Sequence, residues 1–96
     1  MSVLFIGEVD IHDERDYAVY ARHAAELIAR HGGEVLAKGG ETTALEGAPP
    51  GQRIVVVRFK SREDAMNFLD SPQYKSIKSI RMRSSTARTY LVSTDF

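Results

Sequence analysis

Five side chains spread along this sequence could act together on a small molecule: Tyr20, Glu46, Arg53, Tyr74 and Arg81. Tyrosine couples an apolar ring to a hydroxyl that donates or accepts a hydrogen bond. Arginine presents a planar fork of donors that clamps a carboxylate at two points. A pocket holding two of each suits a small organic acid or an enol. Each residue also has a structural reading. Tyr20 falls on the apolar stripe of a helix, where a ring packs and its hydroxyl finds a local partner. Tyr74 follows a helix cap and can anchor a short helix. Glu46 and Arg53 flank one loop and can close it as an ion pair.

A second set is Glu8, Asp10 and Arg58, which strand alternation places on one sheet face, with Glu8 and Arg58 able to meet beneath it. An internal ion pair is one reading, because a buried charge needs a partner. A polar floor for a cavity is the other. The histidines make no metal set: His23 and His31 stand two turns apart on one helix, about 12 Å by rise. His12, at a strand–helix junction, has the titration range of a general base, although turn histidines more often face solvent. Cysteine is absent, which removes disulfides, thiolate nucleophiles and sulfur metal sites. Gly39-Gly40 lacks the strand–glycine–helix setting of a phosphate loop and reads as a β-bulge. No metal and no cofactor are expected.

Regular elements must position these groups. Val3 to Ile11 reads as a strand, with Val3, Phe5, Val9 and Ile11 on one face and Leu4, Ile6, Glu8 and Asp10 on the other. Asp13 is an N-cap for a helix whose apolar stripe is Tyr17, Tyr20, Ala21, Ala24, Leu27 and Ile28, ended by His31-Gly32-Gly33. Glu34 to Leu45 reads as a second strand interrupted at Gly39-Gly40, and residues 47–51 as a loop. Arg53 to Lys60 is a third strand. Ser61 with Asp64 caps a helix facing inward through Ala65, Phe68 and Leu69. Ser71 and Pro72 restart it as a second piece carrying Tyr74, Ile77, Ile80 and Arg81, and Ala87 to Thr94 closes the sheet. The order β-α-β-β-α-β predicts an α+β, ferredoxin-like fold: a four-stranded antiparallel sheet with two helices on one face.

The 96 residues read as one domain spanning 1–96. Thirteen basic and thirteen acidic residues cancel, so no global field draws nucleic acid or an anionic membrane. The cluster Lys75, Lys78, Arg81, Arg83 and Arg88 has no interleaved aromatic residues for base stacking. The N-terminal stretch lacks a basic signal-peptide region, and no apolar run approaches the ~20 residues of a membrane span. A soluble cytoplasmic protein is expected.

The first and third strands are central neighbours in this topology, and both faces of each are apolar. Helices cover the face bearing Val55, Val57 and Phe59; Leu4, Ile6, Ile54 and Val56 face the other way. Leaving them in water forfeits roughly 1.5–3 kcal/mol per large side chain. A homodimer with the two sheets face to face, enclosing a barrel-like space, is the expected remedy.

With these residues placed, the chain resembles the family called domain of unknown function 1330, within the dimeric α+β barrel superfamily. The resemblance rests on Asp13, Tyr17 and Tyr20, His31-Gly32-Gly33, Gly39-Gly40, Leu45-Glu46-Gly47, Arg53 before the valine run, Phe59, Ser71-Pro72-Tyr74 and Arg81. It implies the dimeric alpha-beta barrel and a cleft between helices and sheet, and no established activity. Arg58 stands where the family commonly has glutamate, which argues against any chemistry that acid performs in relatives. Two functions remain in view: a small-molecule-binding or cofactor-free catalytic dimer, similar to monooxygenases and isomerases of that superfamily, or a non-catalytic dimeric module that binds a metabolite without turnover.

Overall fold

A computed structural model of the chain describes residues 1–95. Strand β1 (Val3–Ile11) sets the plan of the molecule through its alternation. Val3, Phe5, Gly7 and Val9 are buried under the helices, while Leu4, Ile6 and Glu8 are half-buried on the opposite face. It is followed by α1 (Glu14–Arg30), β2 (Glu34–Lys38), β3 (Arg53–Phe59), α2 (Arg62–Leu69), α3 (Pro72–Ser84) and β4 (Ser85–Ser93). The sheet order is β2-β3-β1-β4, with every described pairing antiparallel. This is the expected ferredoxin-like arrangement, its second helix divided into α2 and α3.

Each helix begins where a side chain captures an orphan amide. Asp13 Oδ1 accepts from the Asp16 amide at 3.1 Å, and Ser61 Oγ accepts from Asp64 at 3.1 Å. Ser71 serves two helices: its hydroxyl donates to the Phe68 carbonyl at 2.8 Å and accepts the Tyr74 amide at 3.1 Å. Pro72, at the first helical turn, supplies the preset φ that restarts the helix. No residue separates α3 from β4. Instead, the Ser84 carbonyl accepts the amides of His12 and Asp13 at 3.0 and 3.1 Å, tying this junction to the start of α1.

Two expectations are corrected in β2. The strand ends at Lys38 rather than reaching Leu45, because Gly39 adopts φ +74° and turns the chain off the sheet after its amide bonds the Ile54 carbonyl. The bulge lies earlier, at Leu36, where Val35 faces Val57 but Ala37 already faces Val56. Residues 41–50 are exposed, with Leu45 90% accessible.

Phe68 centres the core. Its ring meets Phe5 of β1, Phe59 of β3, His31 at the end of α1 and Tyr74 of α3, at centroid distances of 6.4, 5.6, 5.8 and 4.6 Å. These edge-on, tilted and offset geometries suit the ring quadrupoles. Phe68→Ala should therefore lower unfolding free energy by about 3–5 kcal/mol, a third or more of the roughly 5–15 kcal/mol that holds a small domain folded. Urea unfolding followed by circular dichroism measures it; a loss below about 1 kcal/mol would show that Phe68 is not the keystone.

Candidate functional site

Between α1 and the helix-facing side of the sheet lies a cleft of about 80 Å³. Its walls are largely apolar: Ala21, Ala24 and Ala25 of α1 stand opposite Val9 and Val55, with Gly7 paired beside Val55 in the sheet. Small residues on both sides leave the space that larger ones would fill. The cleft continues outward into a surface groove of about 450 Å³, which shares Tyr17, Ala21, Ala25, Lys38 and Arg53 with it and also carries Glu14, Arg22 and Glu26.

The polar groups enter from three elements. Arg81, in the last turn of α3, is 8% exposed, and its Nε is buried without a hydrogen-bond partner. Its guanidinium lies 5.9 Å from the centre of the Tyr20 ring. The Arg81 carbonyl accepts the Ser85 hydroxyl at 2.6 Å, which fixes the backbone that aims this side chain. Arg53, at the start of β3, lies 5.4 Å from the Tyr17 ring. Gly39 makes that placement feasible, since a Cβ there would come within 2.6 Å of the Arg53 Nε. Tyr17 and Tyr20 are themselves in contact, ring centres 5.5 Å apart, so the two arginines bracket a pair of rings on one helix face.

Tyr20 and Tyr74 share a buried hydrogen bond, hydroxyl to hydroxyl, at 2.9 Å. Burial, reinforced by the Tyr74 hydroxyl beside it, pushes the Tyr20 phenol far above its ordinary pKa. Burial also raises Tyr17, although the positive charges of Arg53 and Arg81 both pull it back down.

The structure thus brings Tyr20, Arg53 and Arg81 to one cleft, with Tyr74 behind Tyr20 rather than on the wall. It does not bring Glu46, which lies on the exposed loop, and the Glu46–Arg53 loop-closing pair is not formed: Arg53 turns inward onto Tyr17 instead. Glu8, Asp10 and Arg58 do not form a common floor either. Antiparallel register sets Leu4 opposite Arg58 and Ile54 opposite Glu8, so the two charges stand four residues apart along the strand. Arg58 pairs with Glu34 at 2.8 Å. Glu8 accepts from Arg88 at 2.7 Å and from the Tyr90 hydroxyl at 2.8 Å, which holds its carboxyl below the usual range. Asp10 caps the lead-in to β3 by accepting the Gln52 amide at 2.8 Å. Two cleft residues escaped sequence reasoning: Lys38, and Tyr17, counted only as core. Tyr17 was legible as the neighbour of Tyr20 on one helix face; Lys38 depended on the Leu36 bulge, which shifts the strand's facing.

Three of the four tyrosines, Tyr17, Tyr20 and Tyr90, hold their protons above the ordinary value near 10. The folded state therefore binds more protons than the unfolded state above about pH 10. Their stabilising contribution is complete below that pH and is lost as pH rises from there through the raised values of the folded state. An alkaline titration at 295 nm should show phenol ionisation lagging that of free tyrosine and finishing together with unfolding. Ionisation of all four near pH 10 in the folded protein would contradict this.

The chain belongs to the family described as Domain of unknown function (DUF1330), whose profile matches residues 2–94. No curated protein matches its sequence. Its fold is similar to that of RPA0582, a protein of unknown function from Rhodopseudomonas palustris, with a TM-score of 0.78 at 16% identity over 95% of this chain and 80% of that one. SnoaB from Streptomyces nogalater, a cofactor-independent oxygenase, matches with a TM-score of 0.69 at 14% identity over 97% and 92% of the two chains. A dimeric protein of unknown function and ferredoxin-like fold from Bacteroides fragilis matches at 0.56 and 11% identity over 96% and 95%. These likenesses establish the ferredoxin-like fold.

Proposed function

We propose that this protein binds a small organic acid or enol in the cleft between α1 and the sheet, as a homodimer joined through the open sheet faces. The observation that carries the reading is Arg81. A guanidinium 8% exposed, with its Nε unbonded and no ion-pair partner among the described residues, is costly to bury. An anionic ligand in the adjoining cleft supplies the missing counter-charge to the guanidinium. The apolar walls suit the carbon skeleton of such a ligand.

The dimer half of the reading rests on how the open face is arranged. Leu4, Ile6, Ile54 and Val56 form a half-buried apolar band, extended by Tyr90 and Val92, 42% and 43% exposed. The Glu34–Arg58 and Glu8–Arg88 pairs flank it at either end. An apolar centre with a charged rim is the anatomy of a protein interface. A cysteine-free chain also suits a reducing compartment such as the cytoplasm.

Likeness in fold to a cofactor-independent oxygenase raises turnover without a cofactor. One observation favours the alternative, a metabolite-binding module without turnover. The Tyr20 and Tyr74 hydroxyls satisfy each other, and no histidine or carboxylate lines the cleft among the described residues.

A thermal-shift screen of small carboxylates and enols tests the ligand. An acid at one hundred times its Kd should add about 2.7 kcal/mol, a rise on the order of 10 °C in Tm for a domain this size. Arg81→Gln should abolish that rise, and a screen in which no acid stabilises the parent would overturn the reading. Sedimentation equilibrium tests the dimer: twice the 10.7 kDa chain mass is expected, and Ile6→Glu should restore the monomer. A parent protein that stays monomeric at tens of micromolar would remove the dimer and leave the cleft.

A further inference from the structure

The cleft holds more positive charge than one carboxylate neutralises. Arg81, Arg53 and Lys38 all line it, no acidic side chain does, and none of the three has an ion-pair partner among the described residues. Their positions differ. Arg81 lines only the inner cleft, whereas Arg53 and Lys38 also line the outer groove, together with Arg22, Glu14 and Glu26, and so stand at the mouth; neither glutamate ion-pairs with Arg53 or Lys38. The two guanidiniums are fixed before any ligand arrives. Arg53 is held between the Tyr17 ring and the side-chain-free backbone of Gly39, and Arg81 is seated on the Tyr20 ring. Preset donors lose little freedom on binding, so each can hold its own carboxylate by a two-point contact. Between them the walls are apolar, with alanines on α1 facing Gly7 and Val55, and a Cβ at Gly7 would meet no α1 atom within 4 Å, which leaves a slot for a flat hydrocarbon body.

Resting on the ligand reading above, we propose that the molecule this cleft accepts is a small dianion. It carries two acid groups on a flat apolar body, one held by Arg81 at the inner end and the other by Arg53 with Lys38 at the mouth. A monoanion satisfies Arg81 and leaves Arg53 and Lys38 without a bound carboxylate. Arg53 is then the residue that sets specificity, and Gly39 positions it.

Isothermal titration with benzoate and with the three benzenedicarboxylates (phthalate, isophthalate and terephthalate) tests this on the parent protein. The ring is constant across the set while the second carboxylate moves progressively farther from the first. One of the three isomers should bind roughly tenfold or more tighter than benzoate, the increment of one charge-assisted hydrogen bond. The favoured isomer reports the distance between the two cationic ends. In Arg53→Gln that preference should vanish, the dicarboxylate losing roughly tenfold more affinity than benzoate loses; Arg81→Gln should weaken benzoate and dicarboxylate together. Equal affinity for benzoate and all three isomers would overturn the dianion and keep the acid-binding cleft. So would an Arg53→Gln variant that loses benzoate and dicarboxylate binding in equal measure. Binding of none of the four acids would overturn both readings.

Discussion

One aromatic ring holds the layers of this molecule together. Phe68 touches a ring from each central strand, the histidine that ends α1 and the tyrosine that begins α3. The contact with Tyr74 leads onward, because Tyr74 bonds Tyr20, Tyr20 packs on Tyr17, and the guanidiniums of Arg81 and Arg53 lie over those two rings. The cleft is therefore an outgrowth of the core. Rings that stabilise the fold also furnish the surfaces on which its cations rest, and shifting any of them moves the charges by the same path.

Strand alternation then separates two tasks. Odd-numbered residues of β1 face the helices and the cleft; even-numbered ones face the open side of the sheet. Charges on the open side are neutralised locally, Glu34 by Arg58 and Glu8 by Arg88 with Tyr90. Arg53 and Arg81, on the cleft side, have no such pairing among the described residues. Chains with a common fold differ in what they place on either side of this divide, and so the likeness to an oxygenase at 14% identity carries fold and not chemistry.

Much of this organisation was legible in the amino-acid sequence. Period-two alternation in residues 3–11 and the caps at Asp13, Ser61 and Ser71 depend on local chemistry, and they locate β1 and the three helices closely. Register was less accessible. Glu8 and Arg58 share a face, yet which residues stand opposite is decided by the pairing of strands distant in sequence, and it sets them four positions apart. Glu46 lies close to Arg53 in sequence, but Gly39 bends the intervening chain away from the sheet, and Arg53 stacks on a ring from another element. The approach of Arg53 and Arg81 to one cleft joins β3 to α3, a meeting that only tertiary packing creates.

The direct passage from α3 into β4 has an effect on what changes in length the chain can absorb. The Ser84 carbonyl stitches that junction to the amides of His12 and Asp13, so even one inserted residue would unfasten the corner where α1 begins and rotate β4 half a period, exchanging its two faces. Residues 41–50, by contrast, carry no strand pairing and can lengthen at little entropic penalty. Added length is thus tolerated in the segment that leads from Lys38 to Arg53, and is excluded from the hinge-free corner where α3 meets β4.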